Sequence, residues 1–240
     1  MSGVVETHEL TMRFGGVVAV NAVNFSLRER ELRCLIGPNG AGKSTFFKCL
    51  TGQYQLGHAN GQVRIRGNDV TGWRSHEIVR LGVGIKTQVP SLLNGLSVEE
   101  NLWLSARRIH GWAGAAGAVE EIVAELGLSD ILRSEVGELA HGQRQMVEIG
   151  VVLAQRPWLV LLDEPAAGMT GDEVERLVSV IHRINETASV IVVDHDMEFV
   201  RMLGSKVTVF HQGAILIEGA ANHVLDDAQV REVYIGNRVK

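Results

Sequence analysis

The sequence predicts an α/β fold with a mostly parallel central sheet and a helical insertion. Residues 159–162 and 190–193 are uninterrupted apolar runs, which is typical of strands covered on both faces of a parallel sheet. Strand and helix signals alternate up to residue 88 and again from residue 157. Between them, residues 89–156 carry helix signals only, which indicates a helical insertion into an α/β core.

This change of pattern also predicts the domain organisation. We expect one domain over residues 1–240, with a core formed by residues 1–88 and 157–240 and a helical subdomain formed by residues 89–156. At 240 residues, 45% of them hydrophobic, the chain can bury a sizeable core. The two cysteines, Cys34 and Cys49, lie in apolar segments, so we expect buried fillers and not reactive thiols.

Turn and capping signals place the individual elements. Apolar alternation, glycine stops and helix caps predict strands at 17–27, 31–36, 62–65, 83–87, 158–162 and 189–194, and helices at 44–50, 75–81, 118–126, 143–154, 172–185 and 198–203. Ser97 and Glu100 form a capping box that starts the first helix of the insertion. Residues 111–117, rich in glycine and alanine, are predicted to be a flexible surface loop between two helices.

The composition argues against nucleic-acid binding and against a membrane-spanning chain. The net charge is −5 and none of the 23 basic residues falls in a dense run, whereas a nucleic-acid clamp needs clustered cations. The apolar stretches, such as 158–162, fall far short of the roughly 20 residues that cross a bilayer. Glu6 and Glu9 interrupt any apolar core of an N-terminal signal. A role in transport would therefore need separate membrane subunits.

A glycine-rich loop joins the strand at 31–36 to the helix at 44–50. It fits the phosphate-loop pattern G-x-x-x-x-G-K-[ST], and its residues are Gly37, Pro38, Asn39, Gly40, Ala41, Gly42, Lys43 and Ser44. Backbone N–H groups and the helix N-terminus can bind the phosphates of ATP, Lys43 can reach the β- and γ-phosphates, and Ser44 can hold Mg²⁺. We also expect Thr45 to bind ATP. The alternative is a chance glycine turn before a helix.

Two adjacent carboxylates, Asp163 and Glu164, follow the apolar strand at 158–162. Ligands of parallel sheets bind at this end of the strands. Neighbouring side chains of a strand point in different directions, so we expect Asp163 to bind Mg²⁺. Glu164 is the predicted general base for the water that attacks the γ-phosphate. The alternative is a solvated Asp-Glu turn.

Two further polar residues follow predicted strands. His195 comes after residues 190–193, and we predict a catalytic contact to the γ-phosphate, against the alternative of a structural histidine. Gln88 follows residues 83–87, and its amide can accept from a Mg²⁺-bound water and donate to a phosphate. A glutamine after a strand is otherwise unremarkable.

The positions and order of these residues resemble those of the nucleotide-binding subunits of ABC transporters, over essentially the whole chain. The decisive segment opens a helix shortly before the carboxylate strand and is similar to the family signature L-S-G-G-Q, with the residues Leu139, Ala140, His141, Gly142 and Gln143. The resemblance implies a P-loop NTPase fold of the ABC cassette type, with a parallel-sheet core, an antiparallel β subdomain and an α-helical insertion. It also implies a head-to-tail dimer in which each signature faces the γ-phosphate of the partner's ATP.

The resemblance further implies roles for single residues. Phe14 is similar to the aromatic residue that stacks on adenine, and the alternative is an ordinary core phenylalanine. Gln88 matches the flexible loop that links ATP to the membrane subunits, Glu164 the general base and His195 the switch residue. The dimer-contact loop of the family falls at residues 166–170.

Three residues depart from the family pattern. Ala140 lacks the hydroxyl of the signature serine, so backbone N–H groups and the helix dipole have to hold the partner's phosphate. His141 replaces the first glycine of the signature, either as a tolerated surface residue or as a γ-phosphate neighbour. Thr170 replaces the aspartate that is usual in the dimer-contact loop.

These departures, with other segments of the chain, indicate which subfamily of ABC transporters it resembles. Residues 139–143, 164–170, 194–200 and 232–236 resemble the ATPases of importers for branched-chain amino acids and, more closely, for urea or short amides. The resemblance implies a second ATPase subunit (identical or homologous), two transmembrane permease subunits and, indirectly, a solute-binding protein. The chain would lie peripherally on the cytoplasmic face of the inner membrane.

Two other classes of protein remain as alternatives. One is a soluble ABC ATPase that acts on DNA or ribosomes, although such proteins usually carry two linked cassettes or long coiled-coil insertions. The other is a regulatory subunit that does not hydrolyse ATP, which the complete set of predicted catalytic residues disfavours.

Overall fold

The computed structural model describes residues 3–54, 59–89 and 91–235. The strands are β1 (Val5–Phe14), β2 (Val17–Leu27), β3 (Leu32–Ile36), β4 (Ala59–Ile65), β5 (Asn68–Asp69), β6 (Val83–Lys86), β7 (Leu159–Asp163), β8 (Ser189–Val193), β9 (Lys206–His211) and β10 (Ala214–Ala220). The helices are α1 (Lys43–Leu50), α2 (Ser75–Arg80), α3 (Val98–Leu126), α4 (His141–Leu153), α5 (Gly171–Thr187), α6 (Met197–Leu203), α7 (Ala221–Asp226) and α8 (Ala228–Ile235). Two short 3₁₀ turns, Ser129–Ile131 and Val136–Glu138, lie between α3 and α4.

The strands form two sheets. A four-stranded antiparallel sheet has the order β2-β1-β4-β5, and a six-stranded sheet has the order β10-β9-β3-β8-β7-β6. In the larger sheet every neighbouring pair is parallel except β9 with β10. The predicted α/β class, with a parallel core and an antiparallel β subdomain, is confirmed.

Each face of the six-stranded sheet packs against its own apolar core. Along β7, Leu159 and Leu161 belong to the core shared with the antiparallel sheet and α1, whereas Val160 and Leu162 belong to the core shared with the long helices. Side chains alternate in this way along a strand that is covered on both faces. Each such buried side chain stabilises the fold by roughly 1.5–3 kcal/mol, so the strands that end at the site are held rigidly.

The prediction of a flexible loop at residues 111–117 is wrong. Two helical stretches of α3 meet at Gly111, which alone has non-helical dihedrals, at φ 68° and ψ −176°, and residues 112–117 are helical. The glycine kinks the helix, and the alanines that follow are strong helix formers. Ala115 is fully buried in the core. Packing of this face offsets the helix-weakening effect of the two other glycines in the segment.

The entry to the insertion and the two cysteines agree with the prediction. Ser97 Oγ accepts a hydrogen bond from Glu100 N at 3.2 Å, and the Glu100 carboxylate accepts one from Ser97 N at 2.7 Å. Cys34 and Cys49 are buried, and burial raises the pKa of each thiol to about 12. Both thiols therefore stay protonated and inert at neutral pH.

The C-terminal part contains elements that the sequence analysis did not predict, namely β9, β10, α7 and α8. Of the segment at residues 232–236 that resembles the importer ATPases, Gly236 lies outside the described residues. Among the helices that the structure describes, none is both long enough and apolar enough to cross a bilayer.

Candidate active site

The phosphate loop connects the buried strand β3 to α1, and two of its glycines are required by their surroundings. Gly37 has φ 148°, and a Cβ there would lie 2.3 Å from Phe210 O. Gly42 has φ 103°, and a Cβ there would lie 2.3 Å from Ala19 O. Because a side chain at either position would collide with backbone, glycine is needed for the loop to close on its neighbours.

The N-terminus of α1 presents unpaired backbone donors. Gly42 is the N-cap and provides no side-chain cap, and the first intrahelical bond is donated by Phe46 N to Gly42 O at 2.8 Å. The amides of Lys43, Ser44 and Thr45 precede it and have no carbonyl of the same helix to bind. Such a helix end binds phosphate groups, so the loop fits the triphosphate of ATP.

Lys43 is buried, and its side chain lies against the backbone of the phosphate loop. Its Nζ donates to Gly37 O at 2.6 Å and to Pro38 O at 3.1 Å. Burial lowers the pKa of the Lys43 ammonium, and the nearby carboxylates of Glu164 and Asp163 oppose that shift. Phosphate oxygens would replace the two carbonyls as acceptors, because an anion binds an ammonium more strongly than a neutral oxygen does.

Asp163 is the last residue of β7 and pairs in register with Val193 of β8. Its side chain is buried, at 2% exposure, and Oδ1 has no hydrogen-bond partner among the residues that the structure describes. Burial, followed by the charge of Glu164, raises the pKa of this carboxyl to about 6. A buried carboxylate oxygen without a partner fits a cation such as Mg²⁺, which prefers oxygen ligands. Asp163 and Ser44 would hold the ion.

Glu164, the first residue after β7, has an unusual backbone conformation. Its φ is 47°, in the left-handed region that costs a residue with a side chain roughly 1–2 kcal/mol. The turn is held by Glu164 N, which donates to Val193 O at 2.8 Å. Glu164 Oε1 lies 3.3 Å from His195 Nδ1. Strained backbone often marks a functional side chain, and here it brings together two of the predicted catalytic residues.

Asp194, which the sequence analysis did not single out, orders the turn that carries His195. Its Oδ1 accepts hydrogen bonds from His195 N at 2.7 Å and from Asp196 N at 3.0 Å. The carboxylate is buried, which raises its pKa. The only sequence signal was an acidic residue at the end of an apolar strand, and the histidine after it was the more conspicuous group.

Phe14, the predicted adenine contact, and Gln88, predicted to lie near the metal, are both at the surface. Phe14 ends β1 with 45% of its surface exposed, so it is not a core phenylalanine. Its ring packs edge-on against Tyr54 with the centroids 5.1 Å apart, a neighbour that the sequence analysis missed. Gln88 is exposed two residues after the end of β6.

The signature residues lie at the start of α4, with Ala140 as the N-cap. The helix begins at His141, two residues before the predicted start. Gln143 Oε1 accepts a hydrogen bond from Ala140 N at 3.0 Å. His141 Nε2 lies 2.8 Å from Ala167 O, so the ring rests on the loop at residues 166–170.

The signature is separate from the phosphate loop within one chain. Among the described residues, no hydrogen bond or ion pair joins residues 139–143 to Lys43, Asp163 or Glu164.

Replacing Asp163 with asparagine should stabilise the nucleotide-free protein at neutral pH. Because the folded-state pKa of Asp163 is raised to about 6, the unfolded chain binds fewer protons between about pH 4 and pH 6, and stability falls as pH rises through that window. Above it, the full cost is roughly 2–3 kcal/mol. Urea denaturation should show this gain for Asp163→Asn at pH 7.5 and little gain at pH 4. Equal stabilities at pH 7.5 would contradict a buried, costly carboxylate.

A glycine loop with unpaired amides, a buried lysine and a carboxylate pair at the end of a parallel sheet together define a nucleoside triphosphatase of the P-loop class. The family model for ABC transporters matches residues 20–167, more than half of the chain. The chain therefore belongs to the ABC transporter family, and it is an ATPase.

Similar proteins agree with this assignment. The chain is 34% identical to the high-affinity branched-chain amino acid transport ATP-binding protein BraF of Pseudomonas aeruginosa, over 97% of this chain and 98% of BraF. It is 32% identical to the corresponding protein LivG of Escherichia coli K12, over 95% of each. A crystal structure of an ATP-binding cassette of an ABC transporter in its ADP conformation superposes with a TM-score of 0.85 at 27% identity, over 98% of this chain and 100% of the other.

Proposed function

We propose that this chain is the energy-coupling ATPase of an ABC importer for branched-chain amino acids, urea or short amides. The contact of 3.3 Å between the Glu164 carboxylate and the His195 imidazole supports the proposal most directly, since it joins a base to a polar group beside the phosphate loop. The names of BraF and LivG support an amino acid importer. The segments at residues 139–143 and 164–170 favour the urea type.

The chain's own residues supply binding and proton transfer. The amides of the phosphate loop and of the first turn of α1 bind the phosphates, and Lys43 places its ammonium on the β- and γ-phosphates. Phe14 stacks on adenine. Asp163 and Ser44 would hold Mg²⁺, and Gln88 would assist them through its amide oxygen. When bound, the ion neutralises charge on the transferred phosphoryl group.

Hydrolysis depends on Glu164 as the general base. Its carboxylate accepts a proton from a water whose oxygen attacks the γ-phosphorus, and ADP leaves as the bond to its β-phosphate oxygen breaks. His195 is placed by Asp194 and contacts the γ-phosphate. The contact with Glu164 keeps both side chains facing the same point, so the base needs little reorganisation before the reaction.

A second subunit completes the site. The N-terminal end of α4, with the signature residues Leu139 to Gln143, faces the γ-phosphate of ATP bound to an identical or homologous partner. Ala140 has no hydroxyl, so backbone amides and the helix dipole make this contact. ATP-driven closure of the dimer moves two permease subunits, which hold the chain at the cytoplasmic face of the inner membrane.

Co-purification of partner proteins and an uptake assay test this function. The full chain, tagged and purified from membranes of its own host in mild detergent, should retain two permease subunits. Vesicles that carry this complex with the ATPase facing the lumen should accumulate a radiolabelled amino acid or urea only when the lumen contains ATP. The Glu164→Gln chain is the matched control, since it should assemble but not drive uptake. Retention of ribosomes or DNA in place of permeases would overturn the proposal.

A further inference from the structure

A buried ion pair links the strand before Gln88 to the signature helix. Lys86 Nζ lies 3.3 Å from Glu148 Oε2, and their side chains are 3% and 6% exposed. Removing two charges from water is costly, and a buried pair is often no more stabilising than two apolar residues of similar volume. Stability alone therefore does not account for this pair.

Both partners stand on rigid elements that lead to the proposed ATP contacts. Lys86 is the last residue of β6, which lies at an edge of the six-stranded sheet, two residues before Gln88. Glu148 belongs to α4, about two helical turns after His141. The pair thus joins the strand that precedes a contact to the chain's own ATP to the helix that begins at the contact to the partner's ATP.

Lys86 also lies close to the carboxylate that would bind the metal. It pairs in register with Leu162, the residue before Asp163. A movement of Lys86 would therefore change the surroundings of both the proposed metal site and α4.

We propose that Lys86 and Glu148 are positioning residues, which hold the signature helix in a fixed orientation to Gln88 and to the metal site of the same chain. An ion pair restricts distance and direction, whereas apolar contacts are non-directional and permit the helix to slide along the strand. The pair makes the phosphate-contacting end of α4 respond to the nucleotide state of its own subunit. This inference rests on the proposed function.

A double-mutant cycle on the full chain separates positioning from stability. Lys86→Met and Glu148→Leu each leave one buried charge unpaired, and each should lower the midpoint of thermal unfolding by roughly 10 °C. The double variant Lys86→Met/Glu148→Leu should unfold within a few degrees of the parent. Its kcat for ATP hydrolysis should nevertheless fall roughly 10-fold or more, as misplaced catalytic groups do, with KM for ATP unchanged because the phosphate loop is intact.

The controls make each outcome decisive. The exposed pair of Arg156 and Glu121, which are 2.7 Å apart, should tolerate Arg156→Gln/Glu121→Gln with parental kcat. If the apolar double variant does not fold, Glu148→Asp keeps the charge but shortens its reach, and it should lower kcat at unchanged KM. Parental kcat in either the apolar double variant or Glu148→Asp would overturn the inference. A parent chain without ATPase activity, even together with its partner subunits, would instead overturn the proposed function, so the two failures are distinguishable.

Discussion

Glu164→Gln should abolish hydrolysis while the protein continues to bind ATP. Glutamine has the size of glutamate and can keep the contact that Glu164 Oε1 makes with His195 Nδ1 at 3.3 Å, but its amide does not accept the proton of the attacking water. General-base catalysis contributes roughly 100- to 10,000-fold to a rate, so turnover measured by phosphate release should fall by about that factor.

The same variant should trap the dimer. If hydrolysis reopens the two subunits, a chain that binds ATP without cleaving it accumulates in the closed state, and light scattering with size-exclusion chromatography should show a larger species that requires ATP. Glu186→Gln is the matched control, since Glu186 is an exposed residue of α5 and its replacement should leave rate and mass unchanged. An unaltered hydrolysis rate in Glu164→Gln would remove Glu164 from the role of base.

Local patterns were sufficient to predict the elements that surround the site. The phosphate loop, from Gly37 to Ser44, is a contiguous motif, and two of its glycines, Gly37 and Gly42, are required by close contacts of the loop backbone with Phe210 and Ala19. The apolar runs before Asp163 and His195 each predict a strand that ends at the same edge of one sheet. The placement of these residues was therefore predictable, while their roles stay predictions that the variants test.

Contacts between distant segments were not predictable in this way. Tyr54 packs on Phe14, and Glu148 pairs with Lys86, because the fold brings separate elements together. Residues 111–117 are a case in which the local pattern was misleading. Their glycines predict a loop, whereas burial of Ala115 in the core favours a helix. Strain at Glu164 also depends on the neighbouring strand, whose Val193 carbonyl holds the turn.

Lys43→Ala should abolish the retention of nucleotide. The Lys43 ammonium is already inside the phosphate loop, bound to the carbonyls of Gly37 and Pro38, and no other side chain of the loop is cationic. Loss of one charge-assisted hydrogen-bonding group costs about 1.5–3 kcal/mol, which corresponds to a roughly 10- to 100-fold higher Kd for ATP. Isothermal titration calorimetry of the nucleotide-free chain measures this change, and gel filtration should show that the variant elutes without ATP.

The control for Lys43→Ala has to separate lost binding from lost folding, because the two carbonyls lose their donor. Lys206→Ala removes an exposed lysine at the start of β9 and should leave both Kd and unfolding midpoint unchanged, and the midpoint of Lys43→Ala should also stay within a few degrees of the parent. Undiminished ATP affinity together with undiminished turnover in Lys43→Ala would contradict the assignment of the phosphate loop. Undiminished affinity with slow turnover would place the lysine's contribution in the transition state instead, where negative charge grows on the oxygen that leaves with ADP and the ammonium can neutralise it.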